Sequence, residues 1–297
     1  MKSPIDLHMH SNKCIDGEFT PTELVRRCKA AGIRVMSITD HSFAGGNAEA
    51  RAEAEKHGIR YISGIEIDCR FRGKDFHLLG YGFDENSPDF SVLEEHILSG
   101  ERSASRERLT LIRELGFDIL DTELNAVSNL DDGVSFWTGE TFADVLFNKN
   151  EYLDHALLLP YRAGGARADN PHVNFYWDYF AQGKPCYVDI DVPSFEEAIA
   201  IIQTNGGKAV LAHPGVNLKG QYELFDEIVE TSIDGVEVFS SYHDEKTARY
   251  FYEQALRHSL TFTFGSDYHG KLKPSVRLGE AGCWVDPQGI ERQLGFV

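Results

Sequence analysis

"TPTELVRRCKAAGIRVMSITDH", residues 20–41, decides how the rest of the chain is read. Thr20 can cap a helix, Pro21 suits the first helical turn, Glu23 completes a capping box and Gly32 stops the helix. The next segment, "IRVMSITDH", is strand-like and runs straight into a polar pair, Asp40 and His41. Upstream, the apolar entry before "DLHMH" (6–10) supplies an earlier strand. Downstream come a helical "NAEARAEAEKHG", a strand "IRYISGIEIDC", the turn "RGKD" and another strand, "FHLLGYGF". Strand–helix–strand–helix–strand is the grammar of a parallel α/β sheet or barrel.

From about Asp84 to Lys184 that grammar changes. Helical patterns dominate in "SVLEEHILSGERSASRERLTLIRELG" and "TFADVLFNKNEYLDHALLL", and the loop "YRAGGARADNPHVN" breaks them. This predicts a core domain formed by 1–83 and 185–297, with a mostly helical insertion over 84–184. Strand–helix alternation resumes with "PCYVDI", "SFEEAIAIIQTNGG" and "KAVLAHPG" and closes with "DGVEVFSS", "EKTARYFYEQALRHS" and "LTFTFGSDYHG".

Composition narrows the partners. The 297 residues are 42% hydrophobic and 26% charged, as in an ordinary soluble globular protein. Twenty-nine Lys and Arg face 47 Asp and Glu, a formal net charge of −18, and such a surface repels long nucleic acid. No run approaches the ~20 apolar residues that span a membrane, and the start is too polar for a secretory signal. The five cysteines are scattered without a CxxC, which predicts free thiols and a cytoplasmic protein.

The chemistry lies in the polar residues that interrupt or end the apolar strands: His8, His10, His41, Glu66, His77, His213, Asp267 and His269. Residues i and i+2 of a strand point to one face, so His8 and His10 present two imidazoles side by side. One such pair is equally a half-buried strand end. Six of the twelve histidines, however, stand at strand ends, and in barrels strand ends converge on one mouth. The other six (His57, His96, His155, His172, His243, His258) fall on helices or loops, where solvation explains them. A mixed imidazole and carboxylate set without thiolate suits Zn²⁺, Mn²⁺ or Fe²⁺. So many ligands exceed one ion, so two or three share the mouth. Clustered ions bring the pKa of a bridging water toward neutrality and clamp the oxygens of an in-line displacement, as phosphate ester hydrolysis requires.

"DLHMHS…DG", "ITDH", "GIEI", "FHLLGYG", "AHPG" and "GSDYH" resemble, in order and spacing over nearly the whole chain, the motifs of the PHP (polymerase and histidinol phosphatase) family. The chain is most similar to its small-molecule phosphoesterase branch, where a helical insertion precedes a "GKxxYV" segment, here Gly183 to Val188. The resemblance implies a distorted (β/α)7 barrel and a trinuclear site. One ion would be held by His8, His10, Glu66 and Asp267. A second would share Glu66 and add His77 and His213. A third would take Asp16 (from "CIDG"), His41 and His269. Glu66, Asp267 and His213 are the expected catalytic residues. Two or three divalent ions are expected, Mn, Zn or Fe, with Mg possible. Three carboxylates against +6 leave a locally positive mouth that draws a phosphate.

Substrate contacts are expected from Arg162 and Arg167 in "YRAGGARAD", whose guanidinium forks match phosphate, and from Ser240, Ser241 and His243 in "FSSYHD". The segment "WTGETFADVL" departs from the family, whose members carry a basic residue and a histidine near the position of Thr141. Asp189 and Asp191 read as loop and helix entry. The expected activity is hydrolysis of a small phosphate ester, most plausibly a nucleoside mono- or bisphosphate. The alternatives are a small cyclic phosphodiesterase or a 3′–5′ oligonucleotide exonuclease. A non-catalytic PHP module and an amide or lactone hydrolase rank lower. The expected partner is a small phosphorylated substrate, with no long nucleic acid and no membrane, and oligomeric state is unassigned.

Overall fold

The computed structural model describes residues 3–14, 16–128, 136–286, 289, 290 and 292. Strand β1 (Ile5–Asp6), helix α1 (Pro21–Ala31), strand β2 (Val35–Met36), helix α2 (Asn47–His57) and strand β3 (Arg60–Tyr61) open the chain. The Thr20 side chain accepts the Glu23 N–H while Glu23 reaches back to Thr20, and Gly32 closes α1 at φ 83°. Leu24, Val25 and Cys28 form its buried stripe, packed in one cluster with Ala50 and Ala54 of α2. Burying one such leucine contributes roughly 1.5–3 kcal/mol. β1, β2 and β3 pair in parallel, as the βαβ grammar predicts.

The parallel pattern then breaks. β4 (Gly64–Phe71) and β5 (Lys74–Tyr81) are antiparallel and in continuous register. Their link is two residues, Arg72 (φ 48°) and Gly73 (φ 75°), both left-handed as a type I′ hairpin turn demands. Two residues cannot carry the crossover that a parallel pair needs. β5 is also antiparallel to β6 (Lys208–Leu211), which continues in parallel through β7 (Gly235–Ser240) and β8 (Thr261–Gly265).

Between β5 and β6 lie α3 (Pro88–Glu114), α4 (Asp121–Val127), α5 (Gly139–Asn148), α6 (Pro171–Tyr179) and α7 (Phe195–Thr204). After β6 come α8 (Pro214–Asn217) and α9 (Leu224–Val229), and α10 (Glu245–Arg257) links β7 to β8. Leu109, Phe117, Trp137, Phe142 and Phe175 of the helical segment form a second apolar cluster with Cys186, while Phe90, Leu93 and Ile97 at the start of α3 join the cluster around the five-stranded sheet. All five cysteines are buried and free. Among the described residues no helix is long and apolar enough to cross a membrane.

Among the described residues strand pairing falls in two sheets, β1-β2-β3 and β4-β5-β6-β7-β8, in place of one continuous ring of the distorted (β/α)7 barrel that the resemblance implies. Single bonds join the sheets beyond their paired residues. On one side Leu7 N–H donates to Phe264 O, Asp267 N–H to His8 O and His10 N–H to Tyr268 O. On the other, Glu66 N–H donates to Asp40 O and Ser42 N–H to Glu66 O. These joints set His8 and His10 beside Asp267, and His41 beside Glu66.

Candidate metal centre

In "GIEID" the side chains of Glu66 and Asp68 share one face of β4, because strand side chains alternate. Glu66 is 1% exposed, and its two oxygens divide five imidazoles. Oε2 lies 3.1 Å from His8 Nε2, 3.2 Å from His10 Nε2 and 3.5 Å from His41 Nε2. Oε1 lies 3.0 Å from His77 Nδ1 and 3.1 Å from His213 Nε2. Asp267 Oδ1 is 3.3 Å from His8 Nε2 and 3.1 Å from His10 Nε2. Asp16 Oδ2 is 3.0 Å from His269 Nε2 and 3.5 Å from His41 Nε2. The structure therefore brings all nine expected ligands together.

Their donor atoms fall into groups within 4.8 Å: His8, His10, Glu66 and Asp267; His10, Asp16, His41 and His269; and His41, Glu66 and His77. The first matches the set expected for one ion. The second adds His10 to the set expected for the third ion. In the last, His41 stands where His213 was expected, although His213 approaches the same Glu66 oxygen as His77.

Two of the expected ligands carry backbone strain. His213 (φ 23°) and Asp267 (φ 56°) are left-handed without being glycine, a conformation costing about 1–3 kcal/mol. Each is tied down, the His213 N–H to Glu237 Oε2 at 2.9 Å and the Asp267 N–H to His8 O at 2.7 Å.

Burial pushes the carboxyl of Glu66 up, but His8, His77 and His41 outweigh it and hold it well below the usual carboxylate range. Asp16 is held low against burial by His269 and His41, and Asp267 by Lys273, His8 and His269. Burial opposes protonation of His8, yet Glu66, Glu237 and Asp267 raise it well above an ordinary imidazole. His269 goes the other way, to about 4, through burial and the charges of Lys273 and His10.

A divalent cation fits this donor set. His10 Nε2 is buried within 3.2 Å of two carboxylates yet makes no hydrogen bond, and Asp16 Oδ1 is likewise buried without one. Unsatisfied buried polar atoms are expensive, and convergent imidazole and carboxylate donors are the ligands of first-row divalent ions.

The expected substrate contacts lie elsewhere. Arg162 donates to Phe147 O at 2.6 Å with its guanidinium over the Phe147 ring, and Arg167 forks onto Asp178 at 2.8 and 3.0 Å. His243 is held by Val238 O and by the Gly215 N–H, and Ser240 is buried. None of these four, nor Ser241, lines the cavity at the centre. Asp189 and Asp191 pair with Arg70 and His96.

Sequence reasoning passed over four groups that the structure brings in. Asp68 lies 3.3 Å from His41 Nδ1 and 3.2 Å from His77 Nε2, and its signal was the two-residue spacing from Glu66. Glu237, the one acid in "GVEVFS", receives His8 Nδ1 at 2.9 Å. Lys273 pairs with Asp267 beside the Tyr242 ring, and Cys14 Sγ is 3.6 Å from His10 Nδ1. The cavity measures ≈ 460 Å³. Glu66, Asp267 and His269 line one side, and Arg102, Glu140, Tyr176, Trp177 and Phe180 of the helical segment also line it.

A family profile described as "PHP domain" matches residues 6–165. The chain is 30% identical to a 3′,5′-nucleoside bisphosphate phosphatase of Chromobacterium violaceum, over 89% of this chain and 87% of that protein. It is 28% identical to a 5′-3′ exoribonuclease of Haemophilus influenzae, over 91% of each. Among solved structures it resembles an amidohydrolase from Chromobacterium violaceum with bound sulfate and no metal, at a TM-score of 0.75 and 27% identity, over 98% and 97% of the two chains.

Proposed function

The chain belongs to the PHP family and is a hydrolase of phosphoric ester bonds, and we propose that it acts on a small phosphate ester, a nucleoside mono- or bisphosphate. The observation that carries the chemistry is the Glu66 carboxylate, with three imidazoles at one oxygen and two at the other. Two or three divalent ions (Mn, Zn or Fe, with Mg a further candidate) would be held by His8, His10, Glu66 and Asp267, by Glu66, His77 and His213, and by Asp16, His41 and His269. When bound, such ions supply a nucleophilic water at neutral pH and offset charge on the phosphoryl oxygens.

The chain's own residues do the rest. Glu66 and Asp267 both face the Nε2 atoms of His8 and His10 and fix the donor frame there. His213 Nδ1 hydrogen-bonds Asn217 Oδ1 at 3.0 Å, which turns Nε2 toward the site. Tyr176, Trp177 and Phe180 offer ring surface for a nucleobase, since stacking tolerates any base. Arg102 lines the cavity and makes no hydrogen bond or ion pair among the described residues, so its guanidinium is free for an anionic substrate. The volume lies within the range of small-molecule sites. We read the two sheets as halves of a distorted (β/α)7 barrel over 1–83 and 185–297, and 84–184 as the insertion that covers its mouth. The separate apolar cluster of that segment supports this reading.

The test is reconstitution. Chelator-stripped protein should release no phosphate from a nucleoside 3′,5′-bisphosphate, and restoring Mn²⁺ or Zn²⁺ should recover release at two to three ions per chain. Uptake below one ion per chain, or no release from any nucleotide, would sink the proposal.

A further inference from the structure

We propose that Glu237 is a positioning residue of the metal centre, which aims the His8 imidazole and the His213 backbone through its two carboxylate oxygens. The inference rests on the reading of His8 and His213 as ligands. β7 is buried at all six positions, and Glu237 within it is 0% exposed. A carboxylate so placed is costly unless it is paired and hydrogen-bonded. Among the described residues no lysine or arginine pairs with it, and its partners belong to the site instead. Oε1 receives His8 Nδ1–H at 2.9 Å, and Oε2 receives the His213 backbone N–H at 2.9 Å.

Each bond has a consequence for metal binding. An imidazole that donates from Nδ1 keeps its Nε2 lone pair free, and His8 Nε2 is the atom facing Glu66 and Asp267. Such an acceptor behind a ligating histidine fixes its orientation and raises its basicity. The second bond holds His213 in its left-handed conformation, from which its Nε2 reaches Glu66.

The neighbouring strand has been cleared for this pair. A Cβ at Gly265 of β8 would stand 2.4 Å from Glu237 Oε1 and 2.1 Å from His8 Cβ. Glycine at 265 is what lets carboxylate and imidazole meet.

The experiment compares wild type, Glu237→Gln and Gly265→Ala, each stripped with chelator, then titrated with Zn²⁺ against a competing chelator dye. Thermal unfolding of the stripped proteins is recorded in parallel. The expected result is a 10–100-fold loss of Zn²⁺ affinity in Glu237→Gln, a loss in the same direction in Gly265→Ala, and recovery of kcat at saturating metal. Wild-type affinity in a folded Glu237→Gln, or a lowered Tm with unchanged affinity, overturns the inference. Should neither variant fold, nitrogen-15 histidine spectra of the Zn²⁺-loaded wild type decide it. Protonated Nδ1 on His8, with a slowly exchanging proton, supports the inference, and unprotonated Nδ1 overturns it. A wild type that takes up no metal defeats the functional reading instead, so the two failures are distinguishable.

Discussion

At the residue scale two buried carboxyls behave in opposite ways because their neighbours differ. Glu66 stays ionised because imidazoles crowd both its oxygens. Replacing it by Gln removes the charge from two ligand groups at once, so Glu66→Gln should lower kcat and metal content more than any single ligand histidine changed to Ala. Near-normal turnover in Glu66→Gln would contradict its bridging place. Glu140, buried on the cavity wall, has no such company. Burial first, then the charge of Asp16, raises its carboxyl from the ordinary 4.5 to about 7. Between those values the native state of the metal-stripped protein binds more protons at this site than the unfolded chain. The contribution of Glu140 is therefore most favourable below about pH 4.5 and is lost as pH rises toward 7, by about 3 kcal/mol in all. Urea melts of stripped protein at pH 5 and 8 should show Glu140→Gln gaining on wild type by roughly that amount at the higher pH. An equal pH dependence in both proteins would show that Glu140 titrates normally.

At the element scale the arginine that lines the cavity, Arg102, stands on helix α3 and not in the loop that carries Arg162 and Arg167. Arg167 forks onto Asp178 of α6, eleven residues away in sequence, and Arg162 donates one guanidinium nitrogen to the carbonyl of Phe147. Arg167→Ala should lower Tm and leave kcat/KM within about twofold, since no cavity contact is lost. Arg102→Ala on α3 should instead lower kcat/KM by about one to two decades with metal content unchanged, as one charged hydrogen bond is worth roughly 1.5–3 kcal/mol. Unaltered kcat/KM in Arg102→Ala would return that side chain to solvent. The same contrast explains what could be read from the chain alone. The Thr20–Glu23 capping box is local, so α1 was legible to its ends. Eight of the nine expected donors were legible because they interrupt or end apolar strands, where a histidine or acid stands out, whereas Asp16 in a loop was reached only through the resemblance of "CIDG". "RGKD" was legible as a turn, but the antiparallel direction of β4 and β5 rests on Arg72 and Gly73 both being left-handed, which the alternation of strands and helices masked. The partners of Arg162 and Arg167, a carbonyl and a carboxylate, were not legible because they are tertiary neighbours. Glu237 offered only its oddity as an acid in an apolar strand.

For the whole molecule, charge and cavity size choose between the two substrates named for its relatives. The formal net charge of −18 sets a repulsive field against polyanions, while divalent ions on the donor cluster would make the mouth locally positive. A cavity of ≈ 460 Å³ is of small-molecule size, so a nucleoside bisphosphate held there would feel chiefly the mouth. Further nucleotides of an RNA would have to extend beyond it, where the net negative charge of the chain opposes them. Repulsion over such distances is screened within about 8–10 Å at moderate salt. The kcat/KM for a 5′-phosphorylated oligoribonucleotide should therefore fall as it lengthens from dimer to decamer at low ionic strength. Added salt should raise the value for the decamer and not that for the bisphosphate. Both follow from one assay, with product release measured at matched free metal across a salt series. Equal kcat/KM on decamer and bisphosphate at low salt would instead show that a basic path for RNA crosses the acidic surface, and would place this chain with the exoribonucleases in substrate choice.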